Sequence, residues 1–142
     1  MAFKISGIHH ASIVVKDLGS ALTFYCDVLG LTVNNARPDI GYPGAWLDVG
    51  GQQIHLLQLD SVDPRVGRPD HVGRDRHTAF YLDDVEALIL RLDQINIAYT
   101  ASRSGRKAVF CRDPDGNGLE FVQQARRKPD LLRYAAAEAT FS

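Results

Sequence analysis

The chain has 142 residues, of which 45% are hydrophobic and 23% charged, with a formal net charge of −1. That size fits one ordinary domain or two small repeated units, and the balance excludes disordered and collagen-like classes. It also excludes the basic footprint of a nucleic-acid binder, and no apolar run approaches the roughly 18 residues of a membrane helix, so a small-molecule partner and a cytoplasmic location are expected.

The first apolar run, residues 5–15, reads as a buried strand on Ile13, Val14 and Val15, and it carries His9 and His10. Asp17 is a candidate N-cap for a helix whose apolar positions Leu18, Ala21, Leu22, Tyr25, Val28 and Leu29 fall at helical spacing, with Gly30 as its stop. Strands follow at 31–35, 45–49 and 53–59, with a tight Gly50–Gly51 turn between the last two. Module one therefore reads βαβββ over about 5–59.

Residues 60–76 hold two Pro, two Gly and many charges without an apolar period, which predicts a surface connection with His71 as a surface residue. Module two, about 77–123, repeats the order: a strand at 77–82, Asp84 as cap, a helix at 85–92, and strands at 98–100, 108–112 and 118–123. The turn Asp113-Pro114-Asp115-Gly116-Asn117 joins the last two strands. A tail, 124–142, opens with a basic cluster, Arg126-Arg127-Lys128, and is expected to add a short helix after Pro129. Cys26 and Cys111 lack CxxC spacing and read as buried, reduced thiols.

His10 and His77 each stand seven residues before their helix caps, and His55 and Glu120 follow them by 45 and 43 residues. A weak internal repeat accounts for both coincidences. Strand alternation sets His10 and His9 on opposite faces, and the repeat selects His10 because it matches His77. If the two sheets curl about a pseudo-two-fold axis, His10, His55, His77 and Glu120 converge. Imidazoles with one carboxylate suit one divalent transition metal, Zn²⁺, Ni²⁺, Co²⁺, Mn²⁺ or Fe²⁺, rather than Mg²⁺ or Ca²⁺. A lone His in an apolar strand is more often a hydrogen-bonded core residue than a ligand. Glu120, between Leu119 and Phe121, is costly to desolvate on an inner face without a cation or donors nearby.

The segments IHHASIVVKDL with Phe24-Tyr25 and Leu29-Gly30, HTAFYLDDVEAL from His77, and FCRDPDGNGLEF from Phe110 to Phe121 together resemble the vicinal oxygen chelate superfamily, which includes glyoxalases, bleomycin-resistance proteins and extradiol dioxygenases. The resemblance covers about 5–122. It implies an α+β fold of two βαβββ modules in a curved mixed sheet, a single glyoxalase-like domain over 1–142, and a homodimer. It places metal ligands on His10, His77 and Glu120, and it puts His55 where the glyoxalase I branch has an acidic ligand, so that ligation and proton abstraction fall to His55 and Glu120. No branch is matched in full. The glutathione-binding Arg of glyoxalase I is replaced by Ile13-Val14-Val15; Ser12 matches the fosfomycin-resistance transferases, but their phosphonate loop has only Arg103, Ser104, Arg106 and Lys107 as substitutes. Extradiol dioxygenases would need His55 and Tyr81 as supporting groups. A metal-dependent lyase or isomerase of glyoxalase type leads, with an Fe²⁺ dioxygenase and a drug-sequestering protein as alternatives.

Overall fold

A computed structural model describes residues 2–124; all but the first residue of the predicted tail lies outside that range. The order is β1 (His10–Val15), α1 (Leu18–Leu22, continued by a wider π turn over Thr23–Val28), β2 (Thr32–Asn34), β3 (Gly44–Val49), β4 (Gln52–Gln58), β5 (His77–Leu82), α2 (Val85–Gln94), β6 (Tyr99–Ala101), β7 (Ala108–Arg112) and β8 (Gly118–Gln123). Both sheets have one topology, β1-β4-β3-β2 and β5-β8-β7-β6, with the first and last strands of each module parallel and the other pairs antiparallel. The fold is α+β, and the repeat read from the sequence is a repeat of topology. Among the described residues no helix is long and apolar enough to cross a membrane.

Caps and stops explain the helices. The Asp17 carboxylate accepts from the amides of Gly19 and Ser20, and Asp84 accepts from that of Ala87, satisfying donors that the first turn leaves without partners. Gly30, at φ +79°, ends the first helical stretch, and Asn96, at φ +58°, follows the second; Gly and Asn tolerate this left-handed region best. β1 is shorter than the apolar run predicted. It starts at His10 because β4 starts at Gln52, and among the described residues no strand pairs the backbone before the bonds that Gln52 and Gln53 make to Ile8 and His9.

Alternation gives each sheet a helix face and an open face. Ile13, Val15, Ala45, Leu47, Ile54 and Leu56 of sheet one, and Phe80, Val109, Cys111, Leu119 and Phe121 of sheet two, join Phe24, Tyr25 and Leu92 in one buried cluster spanning both modules. The β7–β8 turn ties the modules. The Tyr25 hydroxyl donates to Asp113 Oδ2 at 2.8 Å, Asn117 Nδ2 donates to the Val14 carbonyl at 3.0 Å, and the Lys16 amide donates to Asp115. Burial and the Asp113 carboxylate push the Tyr25 hydroxyl far above its ordinary range, so it stays a donor. The cysteines are free: Cys111 is buried, which pushes its thiol up to about 12, whereas Cys26 is only half-buried.

The 60–76 connection departs from its expected form. Much of it is exposed, but a short 3-10 turn, Val72–Arg74, folds back over β7 and β8 and buries Val72. Arg68 and Arg112 both donate to Asp75 Oδ2 at 2.8 Å, and Arg112 also donates to the carbonyls of Gly116 and Pro69. Gly118 is required under this lid, because a Cβ there would sit 2.6 Å from the Arg76 carbonyl and 2.8 Å from Val72 Cγ1.

Candidate metal centre

The register locates the predicted residues. Across sheet one, Ser12 pairs with His55, which pairs with Trp46 and then Asn34; across sheet two, Ala79 pairs with Glu120, which pairs with Phe110 and then Thr100. His55 and Glu120 are therefore equivalent positions, each two residues beyond the strand partner of His10 or His77. All four side chains lie on the open faces, opposite the core.

In module two the pair meets directly. His77 Nε2 lies 3.1 Å from Glu120 Oε2, and the Glu120 side chain is only 5% exposed. His77 Nδ1 donates to the Asp75 carbonyl at 2.8 Å, which in the neutral ring leaves Nε2 with a lone pair. Nε2 and a carboxylate oxygen then face each other as two acceptors, an arrangement that calls for a proton or another cation between them. Donors about 2.1 Å from one ion and at right angles lie about 3 Å apart, so this pair fits two adjacent positions of a transition metal. A backbone carbonyl on the far nitrogen is the usual means of orienting a ligating imidazole. The carbonyl belongs to Asp75, whose side chain is pinned by Arg112 and Arg68; their hydrogen bonds hold its carboxyl down at about 2. On the other oxygen, Glu120 Oε1 accepts from Arg106 Nη2 at 3.2 Å.

Module one places its pair differently. The rings of His10 and His55 stack with centroids 3.8 Å apart and 14° between planes, and Trp46 stacks on the other side of His55 at 4.7 Å and 11°. A metal lies in the plane of each imidazole that binds it, so two parallel rings cannot share one ion until a ring turns. His55 Nε2 donates to Gln53 Oε1 at 2.8 Å, leaving Nδ1 as its lone pair. Burial, then the neighbouring His10, His9 and Arg37, hold the His55 imidazole below its ordinary value. His9 lies just before β1, outside strict alternation, and its Nδ1 meets His10 Nδ1 at 2.8 Å.

Thus the four predicted residues come together as two pairs, His10 with His55 and His77 with Glu120. Among the described residues, no three His, Cys, Asp or Glu side chains are set to hold a metal within one chain. The edge strands β1 and β5 flank a common cleft of about 240 Å³, lined by Ser12, Val14, His77 and Arg76 among others. Sequence reasoning missed two residues. Asp75 acts through its carbonyl, which has no side-chain signature. His71, expected at the surface, is half-buried, bonds Thr100 Oγ1 at 2.7 Å and packs edge-on to Phe110. Neither partner is near it in sequence.

The family model of the Glyoxalase/Bleomycin resistance protein/Dioxygenase superfamily matches residues 7–121. Among curated proteins, glutathione transferase FosA of Serratia marcescens is 30% identical over 119 residues, covering 82% of this chain and 79% of its own. The mitochondrial methylmalonyl-CoA epimerase of Mus musculus is 25% identical over 127 residues, covering 82% of this chain and 71% of its own. Among solved structures, a glyoxalase-family protein from Bacillus anthracis superimposes with a TM-score of 0.70 at 23% identity, covering 87% of this chain and 99% of that one. With the repeated topology and these matches together, the chain belongs to the glyoxalase/bleomycin resistance protein/dioxygenase superfamily.

Proposed function

We propose that this chain is a divalent-metal-dependent lyase or isomerase of glyoxalase type, acting on a small oxygenated substrate. The observation that carries the reading is the His77–Glu120 pair, two acceptors 3.1 Å apart on a largely buried carboxylate, with His10 and His55 at the register-equivalent positions. His77 and Glu120 would hold the metal, joined by His10 and His55 once the module-one rings turn. Bound there, a transition metal supplies Lewis-acid polarisation of a substrate carbonyl, which acidifies the adjacent C–H. The proton acceptor would be whichever of His55 and Glu120 is left unligated or is displaced by substrate; on His55 it is Nδ1, since Nε2 is committed to Gln53. Trp46 and Phe110, at equivalent positions on the two open faces, would flank the substrate.

Full convergence requires the cleft between β1 and β5 to close or the open faces of two chains to pair in a homodimer. The exposed Phe3, Ile5, Ile8 and Tyr81 favour the dimer, since they leave apolar surface in and before the two edge strands. Two free thiols fit a reducing, cytoplasmic setting.

The test is metal analysis of protein purified without chelators, followed by incubation with 2-oxo and 2-hydroxy compounds in D₂O. One transition metal per chain, lost in His77→Ala, together with deuterium entering the carbon next to a carbonyl, is the expected result. Oxygen uptake with catechols by the Fe²⁺-loaded protein would replace the leading reading with a dioxygenase. Metal-free protein that binds small ligands without exchange would replace it with a sequestering protein.

A further inference from the structure

We propose that Arg106 is a resident counter-ion for Glu120, one that an incoming metal must displace. The inference rests on the metal reading above and concerns how the site is held before loading.

Glu120 presents two oxygens with different partners: Oε2 faces His77 Nε2, and Oε1 accepts from Arg106 Nη2. Arg106 is the permanently charged partner of this carboxylate, which is only 5% exposed, whereas the imidazole on the other oxygen is charged only when protonated. A buried carboxylate without a counter-charge is strongly disfavoured, so the guanidinium does for Glu120 what a metal would do. The side chain is suited to leaving. It comes from the turn between β6 and β7, it is 61% exposed, and among the described residues its other hydrogen bond is the one from Nε to Ser104 Oγ at 3.2 Å. Gly105, at φ +82°, bends the chain beside it.

A guanidinium and a divalent ion on the two oxygens of one carboxylate would be like charges a few ångströms apart, a repulsion that water around the exposed arginine reduces without removing. His77 carries no fixed charge and can stay as a ligand, so the arginine is the partner that gives way. Once released into water it regains its hydration at little cost, because most of its surface is already wet. The corresponding loop of module one supports this reading by contrast. Arg37, between β2 and β3, donates to the Tyr42 carbonyl at 2.9 Å and lies over the Tyr42 ring, and the residue equivalent to Glu120 is an imidazole needing no counter-ion. A solvent-exposed arginine accompanies the carboxylate, and one bonded within its own loop accompanies the histidine.

The experiment is Co²⁺ titration of chelator-treated full-length protein, read by visible absorption and calorimetry. Arg106→Ala is expected to bind Co²⁺ about tenfold tighter than wild type, an ordinary size for two ligands coupled through one group. Arg106→Lys, which keeps the charge, should stay near wild type, and Ser104→Ala should tighten binding slightly by loosening the arginine. Without metal, Arg106→Ala should melt below wild type, and with saturating Co²⁺ the two should melt alike. Unchanged or weaker Co²⁺ binding in Arg106→Ala overturns the proposal, the weaker case meaning that the arginine supports the carboxylate from behind the metal; either result leaves the metal reading standing. If wild type and Arg106→Ala both take no Co²⁺, the metal reading itself fails and the displacement falls with it.

Discussion

The two modules share one topology and one register, yet their open faces are built to different degrees of readiness. In module two the connection between modules folds over the sheet, the Arg68–Asp75–Arg112 cluster fixes the Asp75 backbone, its carbonyl aims His77, and Glu120 stands beside it with a counter-ion. In module one nothing comparable among the described residues covers the sheet, and the His10–His55–Trp46 stack fills the equivalent ground through ring contacts. A repeat therefore fixes where the proposed ligands stand, whereas the lid over one copy fixes how they point. Half of the proposed site, His77 with Glu120, is set in position, and the other half, His10 with His55, would need ring rotation before it could join.

The largest expected effect follows from that asymmetry. Glu120→Gln or His77→Ala should weaken transition-metal binding by roughly a hundredfold or more, because each removes an oriented donor. His55→Gln should weaken it by only about tenfold, since part of the binding energy there is already spent turning the ring out of its stack. Competition against a chelator of known affinity measures all three. Equal losses from the two modules would break the comparison.

A second test addresses the lid. Gly118→Ala forces a Cβ against a backbone carbonyl and Val72, and it should destabilise the protein by about 2–3 kcal/mol, as overpacking does. Gln53→Ala, at the equivalent position of module one, meets no such clash and should cost only about 1 kcal/mol, for the hydrogen bonds its side chain makes with His55 and Asp48. Urea unfolding of the two variants reads the difference directly. Asp75→Asn should cost about 2 kcal/mol, since it leaves Arg68 and Arg112 without their shared anion. The pH dependence carries the same sign: the Asp75 carboxyl is held at about 2, below its unfolded value, so its contribution is complete above about pH 4 and is lost as pH falls from there towards 2. Asp75→Asn should flatten the acid limb of the stability profile over that range.

Much of this fold was legible because its signals are local. The caps Asp17 and Asp84, the stop at Gly30 and the alternation of the core strands are set by near neighbours, and the observed elements fall within a few residues of the expected ones. The equivalence of His55 and Glu120 was legible from the repeat, even though the spacings of 45 and 43 differ, because the two extra residues fall outside the paired strands. What the sequence hid is non-local. The 60–76 connection carries no apolar period, and only the buried Val72 and the distant Arg112 turn it into a lid. The ring stack of module one was hidden likewise, since alternation assigns a face but not a rotamer.

The smallest effect concerns that stack. Trp46 covers one face of His55, and burial is the main reason its imidazole sits below the ordinary histidine value, with His10, His9 and Arg37 adding charge repulsion. Trp46→Ala opens that face to water and should move the His55 titration back towards 6.5, whereas Phe110→Ala, at the equivalent position of module two, should leave it unchanged. Proton NMR of the imidazole resonances in chelator-treated protein follows both variants. The direction bears on chemistry as well as on packing: a histidine kept neutral at physiological pH offers its Nδ1 lone pair to a metal or a proton without first losing one of its own. A Trp46→Ala variant whose His55 titrates as in wild type would mean that the neighbouring charges, not the indole, keep that nitrogen free.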